Sequence, residues 1–213
     1  NRLIKLSRYD IVQSYMALGG IPYYLSYFDS GHSLAQNIDN LFFVKNAKLN
    51  DEFDRLFASV FSRPEEIKKI VKLLSKRHSG YMLDEIAQKT GISIGGSLSN
   101  MLKALIASDF VLRYVPFGCS KREVHYKLID PFCIFYLRYV PENSSYVTSF
   151  WQQNQSSQSI VSWRGFAFEE VCLLHIVQIK KALGIMGVST QQSSWALRGN
   201  DEEEGMQIDL IIQ

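Results

Sequence analysis

GYMLDEIAQKTGISIGGSLSNMLKALIASDFVLRYV, residues 80–115, decides the fold of the middle of this chain. It offers a two-residue strand hint, a short helix from Leu83, a turn at Gly91 and a further helix with Leu98, Met101, Leu102, Leu105 and Ile106 on one face. FVLRYVPFG (110–118) and EVHYKLID (123–130) then alternate like strands around the turn FGCSKR. Upstream, SRPEEIKKIVKLLSKRHSG (62–80) begins with Ser62 as a cap. Pro64 and two glutamates suit the positive end of the helix that follows, and Lys76, Arg77 and His78 suit the other end. Helix, helix, turn, helix, hairpin is the order of a winged helix-turn-helix, expected over residues 63–130.

Charge singles out the same region. Residues 1–62 carry six basic and six acidic side chains, 63–127 carry twelve and six, and 128–213 carry five and nine. Only the middle segment is electropositive, which suits nucleic acid and equally a solvated lysine-rich helix face. The second helix of the quoted stretch presents Ser97, Ser99, Asn100 and Lys103 on its polar side, and the hairpin turn carries Lys121 and Arg122. Such groups bond phosphate or base edges of double-stranded DNA. With one lysine and no arginine, the helix is poorly equipped for sequence-specific readout. A winged helix that only packs between domains is the alternative.

On either side the pattern changes. Residues 9–62 read as a bundle of short helices: YDIVQSYMALGG ends on a glycine pair, and Pro22 opens the next helix. After the hairpin, DPFCIFYLRYV is an aromatic helix, QQNQSSQS (152–159) a linker or loop, and residues 163–185 one long helix. MGVST and SWAL are strand candidates, RGNDEEEG an acidic turn and GMQIDLIIQ a terminal strand running into core. The fold class expected is mainly α with α+β parts. The chain opens on Asn1 and stops on an apolar strand, so it reads as a piece of a longer protein. An unpaired strand edge there invites homodimerisation or edge-to-edge association.

Composition narrows the classes. With 46% hydrophobic and 13% aromatic residues the chain can bury real cores. No apolar run reaches the roughly 18–20 residues that span a bilayer. Cys119, Cys133 and Cys172 are odd in number and unpaired in spacing, which fits a reducing cytoplasm rather than disulfides or a zinc site. His32, His78, His125 and His175 have no ligand spacing, and His175 is expected to be a satisfied core histidine. No G-x-x-x-x-G-K phosphate loop occurs in these 213 residues. Glu169 and Glu170 on a helix and Asp209 on a strand make half of a magnesium nuclease site, since a hard cation takes oxygen ligands from rigid elements. Acids placed so are also commonplace on ordinary surfaces.

Taken in order, YMALGGIPYYL, RPEEIKKIVKLL, the block from Gly80 to Val111, YKLIDPFCIFYLRYV, and SWRGFAFEEVC through QIDLII resemble the C-terminal half of the archaeal-type P-loop ATPases of the AAA+/STAND group. The resemblance implies a helical lid at 1–62, a winged helix at 63–130 and a truncated PD-(D/E)XK nuclease-like α/β domain at 131–213. It implies ATP in the full-length protein, with Gly20 and Pro22 of GGIPYYL sensing ATP against ADP. It also implies that Glu169 or Glu170 and Asp209 match the first two acidic positions of the nuclease-like fold, Asp209 as a magnesium ligand. A later Glu-x-Lys pair does not occur, so catalysis by this piece is not expected. The implied function is the regulatory, DNA-binding portion of an ATPase. A metal-dependent nuclease domain and a protein-interaction module are the competing readings.

Overall fold

The chain is mainly helical with two small antiparallel sheets in its computed structural model, which describes residues 6–143, 149–197 and 205–213. The first helices are α1 Arg8–Leu18, α2 Pro22–Leu25, α3 Leu34–Phe42, α4 Glu52–Val60 and α5 Pro64–Leu74. Then come β1 Tyr81–Met82, α6 Leu83–Thr90, α7 Gly96–Ala107, β2 Val111–Tyr114 and β3 His125–Leu128. The remainder is α8 Pro131–Asn143, α9 Phe150–Asn154, α10 Gln158–Leu174, α11 Ile176–Ala182, β4 Gln192–Leu197 and β5 Met206–Ile212. No helix among the described residues is long and apolar enough to cross a membrane. Contacts divide the chain into two compact units, residues 1–76 with 130–167, and residues 77–129 with 168–213.

The first unit is helical around an aromatic core. Ser7 and Asp10 form a capping box on α1, and Ser33 and Gln36 form one on α3. On α8, Phe135 is fully buried, with ring centroids 4.9 Å from Phe42, 5.0 Å from Trp151 and 5.3 Å from Trp163. Aromatic pairs at these separations add about 0.5–1.5 kcal/mol each beyond the area they bury. Asp39 of α3 is buried, yet its carboxylate accepts from Trp151 N at 2.7 Å and Gln152 N at 3.1 Å. It thereby caps α9, whose own N-cap Ser149 makes no side-chain capping bond to the helix backbone. This corrects the loop expected at 152–159: α9 and the start of α10 occupy most of it. Ser62 does not cap α5 either. Arg63 holds that position without a side-chain capping bond, and Pro64 supplies the start.

The second unit holds a three-stranded antiparallel sheet of order β1-β3-β2. Val111 pairs with Leu128 and Tyr114 with His125, while Tyr81 and Met82 pair with Tyr126 and His125. Gly80 enters β1 at φ 70, where a Cβ would run into the Tyr126 carbonyl, so only glycine lets the two strands approach this closely. Leu98, Met101, Leu102 and Leu105 bury one face of α7, with Ile106 half-buried beside them. The single helix expected over 163–185 breaks at His175, which has φ −109 and starts α11. MGVST does not form a strand. β5 pairs antiparallel with β4, with a bulge between Ser193 and Trp195. Its apolar side chains are less covered than a core strand requires: Met206 is 61% and Ile208 46% exposed. The acidic turn at 201–204 lies outside the described residues.

Candidate functional site

The polar face of α7 points outward. Ser97, Asn100 and Lys103 are exposed and Ser99 is half-buried, opposite the leucine face of the same helix. The turn between β2 and β3 exposes Lys121 and Arg122. Its backbone is tied down at Ser120 N, which donates to Glu123 Oε2 at 2.6 Å. Residues 77–129 carry seven basic and four acidic side chains. Among the described residues, Lys89, Lys103, Arg113, Lys121 and Arg122 have no ion pair. The surplus on α5 is partly neutralised in the first unit: Lys68 lies 2.6 Å from Asp54 and 2.7 Å from Glu65, and Arg63 pairs with Glu66. Lys69, Lys72 and Lys76 of the same stretch have no ion pair among the described residues.

The glycine pair ends α1 in the first unit. Gly19 is its left-handed cap, φ 69, with its N–H donating to Tyr15 O at 2.8 Å. Gly20 follows at φ 70, and Pro22 occupies the first turn of α2. Two successive left-handed residues reverse the chain within one turn, which non-glycine residues adopt only at a cost. A Cβ on Gly20 would lie 2.6 Å from the Tyr15 ring, whereas one on Gly19 would meet Asp130 and Pro131 at 3.7 Å. The turn thus rests on the start of α8. There Asp130 Oδ1 accepts from Cys133 N at 2.7 Å. Burial pushes the Asp130 carboxyl above its usual range, and burial first and Asp130 second push the Tyr15 phenol up.

Glu169 and Glu170 meet partners that the sequence pattern did not reveal. In the second unit, Lys127 Nζ of β3 lies 2.5 Å from Glu170 Oε1, and His78 Nε2 lies 2.8 Å from Glu169 Oε2. His78 Nδ1 is 3.5 Å from Glu170 Oε1, and Lys127 Nζ is 3.3 Å from His78 Nε2. Glu170 is 2% and Lys127 7% exposed. Neither Glu170 oxygen has an aligned donor, so its pairing is electrostatic rather than a well-formed hydrogen bond. Burial pushes the Glu170 carboxyl up, while Lys127 and then His78 pull it down. On the same helix burial, then the Glu169 charge, raise the Cys172 thiol, which disfavours a reactive thiolate.

Asp209 lies on β5, and its side chain is not among those described. His175 is half-buried, its Nδ1 2.9 Å from Val171 O. The two glutamates lie beside side chains of the chain itself, Glu169 against His78 and Glu170 against Lys127. Comparisons with family models, with curated proteins and with solved structures each return no match.

Proposed function

We propose that this chain is the regulatory, DNA-binding portion of a nucleotide-driven switch. Residues 63–130 act as a winged helix-turn-helix, with α7 set against duplex DNA and the β2–β3 turn reaching its backbone. The observation that carries this reading is the exposed polar face of α7 in the same unit as Lys121 and Arg122, which have no ion pair among the described residues. Serine, asparagine and isolated lysines favour phosphate contact over base readout, so binding is largely independent of sequence. The competing packing role does not account for five cations of the α6–β3 stretch that have no acidic partner among the described residues.

The switch reading draws on the glycine pair. ATP, bound by a P-loop core belonging to the same protein, repositions the lid, residues 1–62, through Gly20 and Pro22. The support is local: two strained-for-anything-else glycines, a proline-started helix, and a turn resting on α8.

Fluorescence anisotropy with a labelled duplex tests the DNA contact. The triple variant K103A/K121A/R122A is expected to weaken binding equally for unrelated sequences and to lower the slope of log K against log salt by about 3, near 0.9 per lost phosphate contact. An unchanged slope would remove these residues from the interface.

A further inference from the structure

Lys127 sits mid-strand in β3, opposite Leu112 of β2, and is almost fully buried. An ammonium there is stable only if countercharged, and Glu170 supplies that charge at 2.5 Å. His78 lies between the two, within reach of Lys127 and of both glutamates. The four groups form one connected chain, Glu170–Lys127–His78–Glu169, contributed by the segment before β1, by β3 and by the C-terminal half of α10. A divalent cation approaching Glu170 would meet the ammonium already in place. The space a metal would need is therefore filled by a charge of the protein itself.

We infer that Lys127 is the internal counter-cation of the Glu169–Glu170 pair, and that the cluster clamps the C-terminal half of α10 to the β2–β3 hairpin so that they open and close as one body. The hairpin that ends in Lys121 and Arg122 then carries residues 168–174 with it. This inference stands whether or not the chain binds DNA.

Hydrogen exchange on the full chain reads the clamp directly. Losing one partner of a buried pair shifts opening equilibria by about 100-fold or more, whereas replacing both by apolar groups restores packing. K127M is thus expected to lose protection together in residues 125–128 and 168–174. K127M/E170M should return to within about tenfold of the parent. Loss in one segment only, or a double variant as open as the single, overturns the inference. Should K127M not fold, the double variant decides alone: near-parental protection supports the clamp, and failure to fold refutes it. A titration of the parent with Mn²⁺, followed by the ion's paramagnetic resonance, should show no binding at millimolar metal. Binding that is lost in E170Q would contradict an internal counter-cation.

Discussion

Replacing Asp39 by alanine isolates the contact on which the α9 segment depends. Three donors converge on this buried carboxylate: Trp151 N at 2.7 Å, Gln152 N at 3.1 Å and Gln152 Nε2 at 2.9 Å. Loss of a helix cap alone costs about 1 kcal/mol. An orphaned buried N–H adds about 1–3 kcal/mol, and Trp151 N is fully enclosed. Relief from burying a carboxylate offsets part of this. The net expectation is about 3 kcal/mol for Asp39→Ala and roughly half for Asp39→Asn, which keeps one acceptor. For a chain of this length that lowers Tm by about 6–12 °C. Urea unfolding followed by tryptophan fluorescence suits the purpose, because Trp151 and Trp163 are each 1% exposed in the same unit. An alanine variant within about 0.5 kcal/mol of the parent would refute the capping role, since that is the range of ordinary surface changes.

Three further outcomes can be checked on the same material. Gly20→Ala should cost about 1–2 kcal/mol for left-handed backbone, and more for displacing the Tyr15 ring. Gly91→Ala, at φ 73 with nothing within 4 Å, gives the backbone part alone, so equal losses would deny the ring contact. Phe135→Ala should lose about 3–5 kcal/mol in urea melts, and a loss under 2 would show that the aromatic core collapses around the cavity. Asp130→Asn tests a pH effect. With its folded-state pKa raised by burial, Asp130 favours folding below the ordinary carboxylate range, and that contribution is lost as pH rises through the raised value. Asn keeps the acceptor for Cys133 N, so the variant should gain stability relative to the parent as pH rises above the ordinary carboxylate range. A pH-independent difference in Tm would contradict the shift.

Local signals were readable where they are local. Pro64 with Glu65 and Glu66, the Gly19–Gly20 pair, the apolar face of α7 and the alternation of β2 and β3 each lie within a few residues of the element they specify. The α9 segment was not readable, because QQNQ gains its helix from Asp39, 112 residues away in sequence from Trp151. The break at His175 was hidden for a different reason: no glycine or proline marks it inside an apolar helical run. For Glu169 and Glu170 the residue types suggested metal, but type says nothing about what lies opposite. His78 and Lys127 come from elements far back in the chain, and only the fold brings them there. The exposed polar stripe of α7 was easier, since a polar stripe opposite a leucine stripe is written in the helical period itself.

Duplex binding across a range of salt tests the proposed function most directly. The account predicts measurable affinity at low salt for unrelated sequences and a linear fall of log K with log salt, steeper in the parent than in K103A/K121A/R122A. No binding at low salt, or binding indifferent to salt, would contradict it.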